Sequence, residues 1–401
     1  MNINQRFRDF IIKNEGAKRL ESFFSENYFE KELKRHFDSE QISMGWLYKE
    51  INKKFLFIKF LGSKSSSDLS MADRKFIRHL LNTGNRVQII HFNYSSDSFD
   101  SVLVDKITEN LSVLTDKESH MCARKSLSQF FNGTRRKEYT GAGNSVGSNA
   151  DKQIDLMFEY FSDSELLELY LFRRYILEVY YYSFGHHPVD LDAVLVLNET
   201  PIVLELKRKL PASKCYLKGN INLFYLKRDS YRKLAEKQAE ESGLQIGELD
   251  FSSARKLALK GIFKQGRRSL VQSFYKDKNI EHSELKCFGF DEFPHSKFVR
   301  SCNSLGINYF QLNILRGKVD SSSLINLSNW NFKQAESLAA ALITKDSFQG
   351  FNFTLGEDSG RDGDLRFQEM VPQDSYREFS GQCDFSQVFG FVKERFSEKY
   401  F

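Results

Sequence analysis

Residues 189–209, VDLDAVLVLNETPIVLELKRK, constrain the fold of this chain more tightly than any other stretch. Two short runs rich in Val, Leu and Ile are separated by a polar, turn-forming segment, and such runs read as strands. DAVLVL (residues 192–197) and PIVLELK (residues 201–207) are therefore expected to pair as an antiparallel hairpin through Asn198, Glu199 and Thr200. Pro201 opens the second strand, where a missing N–H is tolerated. With Leu197 opposite Ile202, the expected register sets Asp192 across from Lys207 and Val194 across from Glu205. Side chains alternate along a strand, so Glu205 and Lys207 share one face while Leu204 and Leu206 point to the other. Asp192, Glu205 and Lys207 then converge, because cross-strand neighbours lie within side-chain reach.

Charges inside apolar strands call for a chemical reason. Val194, Val196 and Val203 lie on the same face as the charges, so that face is not simply a solvated one. Two carboxylates held together repel unless a cation or a proton stands between them. A hard dication with oxygen ligands suits the gap, and Mg²⁺ keeps several of its waters when bound by one or two carboxylates. A lysine beside such a site can orient or help deprotonate a water, or stabilise charge developing on a phosphate. These parts together describe metal-assisted phosphodiester hydrolysis.

Asp192, a dozen intervening residues and then Glu205-Leu206-Lys207 resemble the PD-(D/E)xK nuclease superfamily, the restriction-endonuclease-like fold. The resemblance implies a core of α-β-β-β-α-β order: a mixed sheet flanked by helices. It implies that Asp192 and Glu205 hold Mg²⁺ (with Mn²⁺ able to substitute), that the Leu206 carbonyl adds a ligand, and that Lys207 serves the attacking water. A supporting acid on the first helix is also implied; Glu168 is the first candidate, with Glu165 and Glu178 as alternatives. Proline does not directly precede the aspartate, since Pro188 stands two residues before Asp190 and four before Asp192. Either aspartate could be the ligand; the expected register favours Asp192, because Asp190 would face Lys209.

The rest of the 401-residue chain is long enough for two domains or one large domain with insertions. Residues 1–131 read as an α/β accessory domain for recognition, dimerisation or regulation. Apolar positions at helical spacing run through 3–38, KKFLFIKFLG (residues 53–62) reads as a strand, MADRKFIRHLLNTG as a helix ended by Gly84, and RVQIIHFNY (residues 86–94) as a strand that could run parallel to the first. Residues 132–152, with Gly133, Gly141, Gly143 and Gly147, read as a linker. The nuclease domain is expected over 153–320, with helices at 162–176, 230–243 and 252–276 and a strand in GINYFQLNIL (residues 306–315). Residues 321–401 read as an extension or as part of the same domain, with a helix over 329–345. The fold class is thus α/β.

A net charge of +5 lends mild support to a polyanionic partner. Lys209, Arg267 and Arg268 are candidates for contacting DNA phosphates. His186 and His187 read as turn residues, and the five scattered cysteines form no CxxC pair, so neither zinc nor a disulfide framework is indicated. The acidic stretch EDSGRDGD (residues 357–364) reads as a solvated loop. The N-terminal stretch lacks a signal-peptide core, and no run reaches the roughly 18 apolar residues of a membrane span, so a cytoplasmic protein without a membrane partner is expected. A Mg²⁺-dependent DNA endonuclease of restriction or anti-phage defence follows from the resemblance, as a homodimer or with a defence-system partner protein. A repair or recombination nuclease, and a non-cleaving nucleic-acid-binding module on the same fold, remain the alternatives.

Overall fold

The computed structural model describes residues 26, 29–51, 54–62, 69–93, 98–122, 188–207, 211, 215–217, 282–283, 286–291, 295–315, 337–355, 365–380 and 385–397. In chain order these form a helix over 29–36 (α1), then β1 (Ile42–Ser43), β2 (Trp46–Ile51), β3 (Lys54–Gly62), α2 (Met71–Asn82), β4 (Arg86–Asn93), β5 (Ser98–Ile107) and β6 (Val113–Cys122). There follow β7 (Val189–Leu191), β8 (Ala193–Leu197), β9 (Thr200–Lys207), β10 (Cys215–Leu217), β11 (His282–Ser283), β12 (Cys287–Asp291), α3 (Lys297–Leu305) and β13 (Asn308–Leu315). The last elements are β14 (Ser337–Ile343), β15 (Gly350–Leu355), β16 (Leu365–Pro372), β17 (Arg377–Ser380) and α4 (Phe385–Ser397). The chain is mixed α/β.

Two compact units divide these elements, one of Met1–Lys209, Ser301–Ile343 and Arg377–Phe401, the other of Leu210–Arg300 and Thr344–Tyr376. The first holds two six-stranded sheets, ordered β1-β8-β9-β13-β14-β17 and β6-β5-β4-β3-β2-β7. The second holds a five-stranded sheet, β11-β10-β15-β16-β12. In it the buried Glu369 receives a two-pronged ion pair from Arg300, at 3.0 Å from Nε and 2.6 Å from Nη2. The division runs across the chain rather than along it. β1 bonds to β8 and β2 to β7, while β14 and β17 complete the sheet that carries the hairpin.

The β3-α2-β4 unit matches the sequence expectation, with β3 and β4 parallel. Ser70 caps α2 by accepting from the Asp73 N–H, and Asp73 returns a bond from the Ser70 N–H, a reciprocal capping box. The same Asp73 is buried, pairs with Lys59 at 2.7 Å and accepts from Ser43 Oγ, so its charge is fully compensated.

The hairpin forms as expected, but in a different register. Leu197 pairs with Thr200, Val196 with Pro201 and Val194 with Val203, two positions from the expected alignment. The cause is a tighter turn: Asn198 and Glu199 both take positive φ, 48° and 62°, the signature of a two-residue hairpin whose twist matches its strands. β-Branched Thr200 is thereby freed to begin β9. Pro201 is accommodated because the Val196 N–H turns away to Gln41 O at 2.8 Å in the neighbouring chain segment, so this pair needs no proline donor. A shift of two keeps every side chain on its original face.

The helix expected over 329–345 is corrected from residue 337 on, its first eight residues lying outside the described ones: Ser337–Ile343 is a strand in the interior of its sheet, antiparallel to both β13 and β17. Its alanines favour helix intrinsically, but Leu338 and Ala340 join the buried apolar cluster of the sheet, and that tertiary burial overrides a weak local preference.

The centre of one face of this sheet is apolar, with Thr200, Asn308 and Arg377 at its margins. Ala193, Leu195, Ile202, Leu204, Leu206, Phe310, Leu312, Ile314, Leu338 and Ala340 pack there against α1 and α4. On α4 the buried Phe385, Val388, Phe389, Val392 and Phe396 follow the helical repeat, giving a single stripe toward the sheet. Phe29 and Phe37 meet Phe389 at ring distances of 6.0 and 5.4 Å. With this face sealed, alternation sends the intervening residues to the other side.

Candidate active site

The opposite face gathers the charged and amide side chains. Asp192 sits at the one-residue joint between β7 and β8, where the chain leaves one sheet for the other. Extending the β8–β9 ladder by one residue sets Asp192 opposite Glu205, not Lys207 as the sequence register had it. Its Oδ2 accepts from the Leu206 N–H at 2.7 Å, which fixes the carboxylate against β9. Lys207 Nζ pairs with Glu205 Oε1. Asp192 and Glu205 are buried, at 6% and 2% exposure, whereas the Lys207 side chain keeps 31%. The three residues named from the sequence therefore do meet, with the lysine as the partner nearest solvent. The Leu206 side chain lies on the sealed apolar face, as expected.

The electrostatics follow from this burial. Desolvation pushes the Glu205 carboxyl up from 4.5 to about 8; Lys207 opposes that rise, and Asp192 and Asp190 add to it. Burial alone would pull Lys207 down, but Glu205 and Asp192 outweigh it and hold the ammonium above its ordinary value. Lys207 is thus a stable cation rather than a ready base. Burial, and then the Glu205 charge, also push the Tyr48 and Tyr309 phenols up, so both remain neutral. Burial likewise pushes the Cys302 thiol up, which removes it as a nucleophile.

A parallel strand adds residues that sequence reasoning passed over. β13 sets Tyr309 beside Val203, Gln311 beside Glu205 and Asn313 beside Lys207. Gln311 and Asn313 are buried, at 1% and 0% exposure. NYFQLNIL was read only as a strand; its polar residues at alternate positions within an apolar run are the same signal that marked Glu205 and Lys207. On the far side of β13, Ala339 and Ala341 lie next to Asn313 and Gln311 and keep that surface low.

Asp190 stands on β7, paired with Leu47 of the other sheet, close enough to act on Glu205 and Lys207 electrostatically. Among the described residues no three His, Cys, Asp or Glu side chains form a group that could hold a metal ion. The residues that would hold Mg²⁺ are Asp192 and Glu205, two buried carboxylates on one face, and a dication there would take the place of the proton that burial favours on Glu205. Glu165, Glu168, Glu178, His186, His187, Lys209, Arg267 and Arg268 lie outside the described residues, as do the expected linker over 132–152, the helices over 162–176, 230–243 and 252–276, and the loop over 357–364. No helix among the described residues is long and apolar enough to cross a membrane. Comparison with family models, with curated proteins and with solved structures returns no match for this chain.

Proposed function

We propose that the chain is a Mg²⁺-dependent phosphodiesterase, acting on DNA as an endonuclease in restriction or anti-phage defence. The observation that carries this reading is the burial of Asp192 and Glu205 opposite one another on the polar face of a sheet, with Lys207 ion-paired to Glu205. The chain order α1, β1, β8, β9, α3, β13 supports it too. It runs α-β-β-β-α-β with β13 parallel to β9, once two insertions are set aside, the second six-stranded sheet between β1 and β8 and β10–β12 between β9 and α3; its first two elements come from residues 29–43, ahead of the stretch expected to hold the core. DNA and the defence setting come from the resemblance of the Asp192 and Glu205-Leu206-Lys207 run, not from the geometry.

Asp192 and Glu205 would hold the metal. Bound there, Mg²⁺ would supply Lewis-acid chemistry for phosphodiester hydrolysis. The Leu206 N–H keeps the Asp192 carboxylate in one orientation, so little reorganisation is needed on binding. Lys207, held protonated by its neighbours, neutralises charge on the phosphate rather than removing a proton.

Plasmid DNA incubated with Mg²⁺ or with EDTA tests the reading. Wild type is expected to nick or linearise it only with Mg²⁺, and Asp192→Ala, Glu205→Ala and Lys207→Ala each to lose about a hundredfold or more in rate. Asp190→Ala is expected to keep most of the activity. Wild type that leaves both DNA and RNA intact would sink the proposal.

A further inference from the structure

The Asn313 carboxamide is the least explained polar group on the described part of the sheet. It is fully buried, and neither its Oδ1 nor its Nδ2 has a hydrogen-bond partner among the described residues. Burying an amide in that condition costs free energy, whereas an apolar residue of similar volume would not. Its strand neighbours Leu312 and Ile314 point to the sealed apolar cluster, so Asn313 points to the polar face. There its register partner is Lys207 on β9, with Gln311 two residues away and beside Glu205. On β14 its partner is Ala339, too short to reach over it. An unsatisfied donor and acceptor thus stand next to the cation of the site.

We propose that Asn313 is a phosphate-contacting residue of this site. Its Nδ2 donates to a non-bridging oxygen of the phosphodiester whose charge Lys207 neutralises. The inference rests on the phosphodiesterase reading and adds to it a residue from a strand outside the hairpin. A neutral amide suits that contact, because it offers a fixed donor without adding charge to a patch already dense in carboxylates.

Two variants, Asn313→Leu and Asn313→Ala, test this, with Glu205→Gln alongside. Each is compared with wild type by thermal melting, by anisotropy of a fluorescent DNA duplex in Ca²⁺, and by cleavage in Mg²⁺. Asn313→Leu is expected to melt at or above wild type, since it removes an unmet polar group. Both Asn313 variants are expected to bind the duplex about tenfold to a hundredfold more weakly, the loss of one hydrogen bond to a charged oxygen, and to raise KM more than they lower kcat. If both melt well below wild type, Asn313 is a structural residue and the proposal fails. It fails equally if either variant binds and cuts as wild type does, or if wild type does not bind the duplex. Glu205→Gln separates the two claims. If wild type binds without cutting, or Glu205→Gln cuts as well as wild type, the nuclease reading falls, and Asn313 is then judged on binding alone.

Discussion

At the scale of single residues, Glu205 sets the chemistry. Its carboxyl is raised from 4.5 to about 8 in the folded, metal-free protein. A raised acid favours the folded state fully below its unfolded value and loses that contribution as pH climbs toward the folded value. Metal-free wild type should therefore lose stability between pH 4.5 and 8, by an amount of the order of a few kcal/mol. Glu205→Gln should flatten that slope; urea denaturation across the range reads it. A slope unchanged in the variant would show that Glu205 ionises near its ordinary value. Asp192 has a second role, as acceptor for the Leu206 N–H. Asp192→Ala should cost about 1–3 kcal/mol. Asp192→Asn, which keeps an acceptor, should cost less while still losing metal binding, and this difference separates the hydrogen bond from the charge.

At the scale of elements, the hairpin turn carries strain that can be relieved. Glu199 adopts a φ of 62°, a region that disfavours side chains with a Cβ. Its ion pair with Lys75, at 2.6 Å, is largely exposed and contributes little. Glu199→Gly should raise stability by about 0.5–1 kcal/mol, measured by denaturant titration, and leave the site unchanged. On the sealed face, Phe389 touches Phe29, Phe37 and Phe385 from the centre of the α4 stripe. Phe389→Ala should cost about 3–5 kcal/mol, since the facing rings cannot all collapse into the space it leaves. β14 shows how far packing can outweigh propensity: Ala339 and Ala340 have no exposure, Ala340 in the apolar cluster and Ala339 beside Asn313 on the other face.

At the scale of the molecule, the arrangement separates stability from chemistry. α1 and α4 bury one face of the sheet, which leaves the other face to carry charge without weakening the core that supports it. Chain crossings achieve this. Asp192 enters where the backbone passes from one six-stranded sheet to the other, and Gln311 and Asn313 arrive on β13, more than a hundred residues along the chain. Ligand binding to the native state raises stability by mass action, about 2.7 kcal/mol at a hundredfold excess over Kd. Mg²⁺ should therefore raise the melting temperature of wild type at about pH 8 but not that of Glu205→Gln. An equal rise in both would place the ion elsewhere.

The alternation of charge within VDLDAVLVL and PIVLELK by itself determined that a hairpin forms and that Asp192, Glu205 and Lys207 share a face, because side-chain parity is a local property of an extended chain. It likewise determined the β3-α2-β4 unit, whose cap and helical repeat are short-range. Tertiary structure alone decided the rest. The register rests on whether Thr200 belongs to turn or strand, a choice settled by the positive φ angles that Asn198 and Glu199 accept. Ser337–Ile343 is a strand because the apolar cluster needs it, against the preference of its alanines. Asn313 stands beside Lys207 only because β13 lies parallel to β9, a pairing between distant segments that no local pattern encodes.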